Sequence, residues 1–201
     1  MTRPYVAMPA RSIVIRRAEL DEVEAVLASV WELAKASATA AHWSRAAFYP
    51  YVATEAAGGA LQAKAMFLAC VTGATPPTSQ TGGDHPISTP ISPMDGLVGF
   101  AAFSTIMTVG AGESTLENMA VATPWQRQGI GRRLLAAGLL WCRAHASGTV
   151  FLEVRKSNRA AIALYGRARF SVVGNRPGYY RDPAEDGLQM QKSLGAVARA
   201  G

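Results

Sequence analysis

The chain has 201 residues, of which 49% are apolar and 17% charged, with a formal net charge of +6. That is enough chain to bury a core as one domain without disulfide or metal staples, and too apolar to stay disordered. No apolar run approaches the roughly 20 residues that cross a bilayer, and the opening MTRPYVAMPARSIVIRRAEL has two prolines and no long apolar stretch, so no signal peptide is expected. Cys70 and Cys142 cannot form a zinc motif by themselves and nothing points to an oxidising compartment. The expectation is a cytoplasmic protein with no membrane partner.

Residues 12–17 (SIVIRR) predict a first strand. Leu20, Val23, Val26, Leu27, Val30, Trp31 and Ala34 then recur at helical spacing, which predicts an amphipathic helix over 20–35. A second helix is expected around 43–57. Residues 64–72 (KAMFLACVT), 97–109 (LVGFAAFSTIMTV) and 114–123 (STLENMAVAT) predict three strands. Between the first two of these, residues 74–96 carry 5 of the 11 prolines and no apolar period, the composition of a flexible insertion. His85 lies in it, where a lone histidine is expected to be solvated.

From 130 onward Leu134, Leu135, Leu139, Trp141 and Cys142 share one helical face, with Gly148 as the expected stop. Residues 149–155 (TVFLEVR) predict a strand, and Asn158 the cap of a helix running through Tyr165. Phe170–Gly174 with Tyr179–Arg181, and then Leu188–Leu194, predict two closing strands around a DPAEDG turn. The order βα(α)ββ–β–α–β–α–ββ is that of an α/β (α+β) fold: one mixed central sheet flanked by helices.

The charge is uneven. Residues 1–125 hold 7 Lys/Arg and 10 Asp/Glu, whereas residues 126–181 hold 11 Lys/Arg and a single acid, Glu153. Such a segment either meets an anion or presents a solvated basic face. Within it, Gln126-Arg127-Gln128-Gly129-Ile130-Gly131-Arg132-Arg133 falls between a strand and a helix. A glycine-rich turn entering a helix aims several unpaired N–H groups and the positive dipole end at one spot. There is no Gly-Lys-Ser/Thr, and Leu134 replaces the third glycine of the dinucleotide fingerprint, so neither familiar nucleotide motif fits. A tight turn that only needs glycine is the plainer alternative; the arginines and the preceding strand favour an anion.

The run LENMAVATPWQRQGIGRRLL (116–135) resembles the signature of the GNAT acyl-CoA N-acyltransferases, Q/R-x-x-G-x-G/A after the fourth strand. FLEVRKSNRAAIALYGRARF and PGYYRDPAEDGLQMQ are similar to the RimI-like ribosomal-protein alanine N-acetyltransferases, over residues 114–193 in all, with weaker likeness in IRRAELDEVEAV and HWSRAAF. The resemblance implies a single GNAT domain over 1–201, interrupted by the insertion at 74–96, with fourth and fifth strands that splay apart. It implies acetyl-CoA as co-substrate and no metal. The diphosphate would rest on the turn formed by Arg127, Gln128, Gly129, Ile130, Gly131 and Arg132. The pantetheine arm would run along Met119, Ala120 and Val121, and Asn158 would bind that arm. It also implies Glu153 as general base and Tyr165 as the proton donor to the thiolate, with Trp43, Tyr179 and Tyr180 walling the acceptor pocket.

The residues admit plainer readings. Glu153 could be a strand residue paired with Arg155, although glutamate suits strands poorly; Tyr165 could be core packing, and the aromatics hairpin packing. Neither cysteine has a triad-like neighbourhood, which favours direct attack in a ternary complex over an acyl-enzyme. The family's Leu-Gly-Phe helix end is Ala168-Arg169-Phe170 here, and Gly166 replaces a longer residue. Arg169 must therefore take positive φ or the helix must end differently, which bears on where Tyr165 sits.

The acceptor implied by the resemblance is the N-terminal amine of a ribosomal protein (S18-like, exposing alanine). The alternatives are other protein N-termini, lysine or a small amine. Outside catalysis, the chain could be an acyl-CoA sensor or a ribosome- or RNA-binding accessory protein. The basic segment has no recognisable RNA-binding motif, so direct nucleic-acid binding is not expected.

Overall fold

The structure is a computed structural model that describes residues 12–37, 40, 43–52, 62–72, 96–107 and 112–195. Seven strands form one sheet in the order β1-β2-β3-β4-β5-β7-β6. They are β1 (Ser12–Arg17), β2 (Gln62–Thr72), β3 (Leu97–Ile106), β4 (Gly112–Val121), β5 (Ser147–Arg155), β6 (Ser171–Arg181) and β7 (Ala184–Ser193). The helices are α1 (Val23–Ala36), α2 (Arg45–Val52), α3 (Ile130–Ala144) and α4 (Arg159–Arg167). All neighbours pair antiparallel except β4 with β5, which run parallel. The expected order of elements is the observed one, and the sheet is mixed. Among the described residues no helix is long and apolar enough to cross a membrane.

β2 and β3 read as continuous apolar runs because both of their faces are covered. Met66, Leu68, Phe100 and Ala102 pack with Val26, Leu27, Val30 and Phe48 of α1 and α2. The alternate residues Phe67, Ala69, Ala101 and Phe103 pack with Leu134, Leu135 and Cys142 of α3, and the same core takes in Tyr165 of α4. Gly138 lets α3 lie directly on β3, since a Cβ there would stand 2.0 Å from Phe103 Cε2.

Several boundaries differ from expectation. The helix after 130 ends before Gly148, which lies inside β5; Ala146 (φ 54) makes the left-handed turn instead. The closing strands extend toward each other until only Asp182-Pro183 separates them, and β6 runs through Pro177 and Gly178 (φ 61) by means of register shifts. The second helix is described as Arg45–Val52. Its expected continuation to 57, the insertion apart from Gly96, and His85 lie outside the described residues.

The doubt at the end of α4 resolves in favour of a fixed Tyr165. Arg169 adopts φ 66. Phe170 N–H donates to Tyr165 O at 3.0 Å and Arg169 N–H to Gly166 O at 2.9 Å, the paired bonds of a Schellman stop. The hydrophobic contact that accompanies such a stop is present, with the Tyr165 and Phe170 rings 5.9 Å apart. A β-carbon in left-handed backbone costs about 1–2 kcal/mol. Arg169→Gly should therefore raise stability by about 1 kcal/mol in urea denaturation without disturbing α4.

Gly138→Ala should lower stability by about 1–3 kcal/mol despite alanine's better helix propensity, because the Phe103 ring must move. Combining it with Phe103→Leu should recover part of that loss in the same measurement.

A pH-dependent contribution comes from the start of the chain. The Arg16 guanidinium, paired with Glu22 (Nη2 to Oε2 2.7 Å), holds that carboxyl below the usual carboxylate range. The stabilisation is present above the unfolded pKa of about 4.3 and fades as pH falls through the lower folded value. Glu22→Gln should accordingly melt below wild type near neutral pH, and the gap should narrow as thermal melts are repeated at decreasing pH.

Candidate functional site

β4 and β5 pair only from Gly112↔Ser147 to Leu116↔Leu152. Beyond that point the two strands part. The separation coincides with a bulge in β4. Ala102 of β3 faces Asn118 and Phe103 faces Leu116, which leaves Glu117 as the extra residue. The bulge inverts the alternation of β4: Leu116 belongs to the α3 core, whereas Ala120 belongs to the α1–α2 core. After it, Met119 and Val121 pack toward the α3 side.

The ladder also fixes which main-chain groups face the gap. Ala122 N–H donates to Val98 O at 2.9 Å, so Ala120 of the same parity turns its peptide groups to Phe100 of β3. Met119 and Val121 point theirs the other way, to the edge that β5 has left. Val121 O indeed accepts the Gln126 side-chain amide at 3.0 Å. Of the three β4 residues expected to meet a cofactor, Met119 and Val121 thus turn their backbone edges to the gap, with Val121 O held by Gln126, and Ala120 does not.

A cleft of about 860 Å³ occupies the gap. It is lined by every residue to which the resemblance gave a role except Gln128 and, of those it contains, Trp43, Glu153, Asn158, Tyr165, Tyr179 and Tyr180 come from four separate segments of the chain. Gln128 lies beside it, its amide donating to Pro124 O at 3.1 Å. The turn is bent by positive φ at Arg127 (62) and Gly129 (79). Among the described residues its first amide to find a carbonyl is that of Arg133, on Gly129 O at 3.1 Å. The amides of 127–132 therefore form the unpaired cradle expected at a helix start. No protein atom lies within 4 Å of a Cβ built on Gly129, whereas one on Gly131 would meet Leu164 Cδ2 at 3.3 Å. Gly129 supplies the backbone shape and Gly131 the close approach of α3 to α4.

Tyr165 is buried, which pushes its phenol well above the ordinary tyrosine range, and the nearby Tyr180 adds to that shift. Its hydroxyl stays protonated at any physiological pH. Asn158 caps α4 by accepting from Ala161 N–H at 3.1 Å, which leaves its amide NH2 for another partner.

Glu153 does not pair with Arg155. Its carboxylate accepts from Arg176 Nη1 of β6 at 2.8 Å. Arg155 is buried and turns instead to the β6–β7 corner, donating to Asp182 O at 2.8 Å and Pro183 O at 2.9 Å, with Glu185 Oε2 at 3.4 Å. Its guanidinium lies 4.2 Å from the Tyr180 ring centroid and that of Arg176 lies 4.8 Å from Tyr179. Burial raises both phenols, Tyr180 to about 12. Trp43 stacks near Phe48 and Tyr51, with centroids 5.0 and 5.2 Å away.

Sheet alternation divides the cleft into two sides. Leu152 and Val154 join the α3 core, so Glu153 between them faces the α1–α2 side, where Trp43 and Tyr51 stand. The amide cradle and Tyr165 belong to α3 and α4. The gap between the strands joins the two sides. The residues not anticipated from sequence are Glu117, Tyr51, Arg155 and Arg176. Glu117 carried the same signal as Glu153, a glutamate within a strand. Neither cysteine lines the cleft; Cys142 is buried and pushed up to about 11, and burial raises Cys70 as well.

Residues 79–170 match the family described as acetyltransferase (GNAT) family. The likeness to that family thus extends over a little under half of the chain. The chain is 39% identical over 99 residues to the N-alpha-acetyltransferase RimI of Mycobacterium tuberculosis, covering 49% of this chain and 61% of that one. With the ribosomal protein bS18-alanine N-acetyltransferase of Escherichia coli it shares 45% identity over 89 residues, covering 44% of this chain and 58% of the relative. The matched stretch thus spans about three fifths of these curated relatives. The fold is similar to the crystal structure of the Escherichia coli ribosomal-protein-S18-alanine N-acetyltransferase (TM-score 0.60, 24% identity, 94% of this chain and 99% of that one). It is also similar to Arabidopsis thaliana NAA60 in complex with acetyl-CoA (TM-score 0.65, 14% identity, 91% and 99%).

Proposed function

We propose that this protein is an acetyl-CoA-dependent N-α-acetyltransferase acting on the N-terminal amine of a ribosomal protein, one that exposes alanine as S18 does. The observation that carries the proposal is the gap between β4 and β5, which connects an unpaired amide cradle on one side to Glu153 on the other. The relatives named above, whose printed names specify N-terminal and bS18-alanine acetylation, support the acceptor. The chain is read as one acetyltransferase domain with an insertion at 74–96, working in the cytoplasm with a protein substrate.

Acetyl-CoA, when bound, supplies the activated thioester. The amides of 127–132 hold its diphosphate, with Arg127 and Arg132 adding charge. Main-chain groups of Met119 and Val121 pair with the pantetheine arm as a missing strand would, and the free amide of Asn158 reaches the same arm. Trp43, Tyr179 and Tyr180 receive the acceptor. Glu153 accepts a proton from the incoming amine, so that the N–C bond can form as the C–S bond breaks. Tyr165, kept protonated by burial, donates to the departing thiolate. From an acceptor that arrives as its ammonium ion two protons leave the nitrogen, of which one replaces that given by Tyr165 and one is released. The absence of both cysteines from the lining of the cleft supports direct attack.

Glu153→Gln should lower kcat about a hundredfold or more while calorimetry finds acetyl-CoA affinity near wild type. Tyr165→Phe should likewise lower kcat without weakening the cofactor. The assay is labelled acetyl transfer to a panel of N-terminal peptides, an S18-type peptide among them, beside lysine and aminoglycoside acceptors. Normal turnover by Glu153→Gln across pH would overturn the assignment of the base, and transfer to lysine or aminoglycosides alone would overturn the acceptor.

A further inference from the structure

We propose that Glu117 is the residue that selects the acceptor, by holding its amine as an ammonium next to Glu153; this deepens the acetyltransferase reading above and rests on it. Leu116 and Leu152 are the last residues paired between β4 and β5, so Glu117 and Glu153 are the first to face one another across the opening. Both line the cleft. Both side chains lie on the α1–α2 side: Glu153 by strand alternation, and Glu117 because its Oε1 accepts the Ser104 hydroxyl at 2.6 Å, on the face of β3 that carries Ala102 and Phe100.

The two carboxylates differ in their partners. Glu153 already has a cation in Arg176, 2.8 Å away. The ion pairs among the described residues give Glu117 none, and its fixed contact is a neutral hydroxyl. Lys64, on β2 beyond β3, is the register partner of Ser104 and sits over the Tyr51 ring at 5.0 Å. Among the described residues Glu117 is thus a carboxylate of the acceptor side with no ion-pair partner, half-buried and near enough to Tyr51 and Tyr179 to act on their phenols, where a charge is less screened than in open water.

An amine substrate arrives at neutral pH mostly as its ammonium ion. Glu117 binds that cation and Glu153 takes one of its protons, leaving the lone pair free to attack; the second proton, lost as the N–C bond forms, replaces the one Tyr165 gives to the thiolate. After transfer the nitrogen is an uncharged amide, which Glu117 no longer favours, so the same contact that admits the substrate lets the product go. The substrate class follows: a cationic primary amine, against a peptide of the same shape without the charge.

The test measures binding to CoA-saturated protein of two peptides that differ at one group, an alanine-initiated peptide and its des-amino counterpart beginning with a propionyl group. Wild type should prefer the free amine by about tenfold or more. Glu117→Gln, which keeps a partner for Ser104, should reduce the preference to about twofold, and Glu117→Asp should restore part of it. In steady state Glu117→Gln should raise peptide KM with kcat and acetyl-CoA affinity little changed. Full retention of the preference by Glu117→Gln, or its absence from wild type, would overturn the proposal. A wild type that shows the preference yet transfers no acetyl group would overturn the enzymatic reading and leave the ammonium site standing.

Discussion

Two neighbouring strands that stop pairing halfway along are what the rest of this structure depends on. Five registered pairs hold β4 to β5, and beyond Leu116 and Leu152 each goes its own way. Parallel strands normally continue until one of them ends, because unpaired peptide groups inside a protein are costly. Here the bulge at Glu117 interrupts β4 where the gap opens, and the strands' other edges remain tied to β3 and β7. The edge so exposed needs a partner with its own amides and carbonyls. Under the proposed function a substrate arm rich in such groups would answer that need.

The same gap separates two electrostatic environments. Backbone dipoles and arginines dominate where α3 begins, an environment that favours anions. Across the sheet, carboxylates and phenols dominate. Arg155 and Arg176, although part of the basic stretch, serve the acidic side from within: one braces Tyr180 and the β6–β7 corner, the other holds Glu153. Net charge counted along the chain conceals this division.

The elements of the fold were legible because their signals are local. Doubly covered β2 and β3 read as unbroken apolar runs, α1 and α3 as apolar stripes, and Asn158 as a cap. The turn at the start of α3 was legible for the same reason, since the glycine at 129 marks it locally. The partners of Glu153 and Arg155 were not. Arg155 reaches Glu185 and the Asp182-Pro183 corner, and Arg176 reaches Glu153 across β7, through a register that no local pattern encodes. The bulge was equally hidden, for Leu116-Glu117-Asn118 contains no glycine to mark it. Ala146 and Arg169 adopt backbone angles that composition assigns to glycine, Arg169 because the contact of Phe170 with Tyr165 compensates.

Two glutamine side chains give the turn after β4 a further property. Gln126 and Gln128 fasten it to Val121 O and Pro124 O, bonds internal to the protein that require no ligand. The path of the turn is therefore set by the protein itself, and under the proposed function little ordering entropy would be lost on capture of a diphosphate. On that reading recognition would reside in the path of the main chain, leaving side chains around the turn free to drift as long as that path survives.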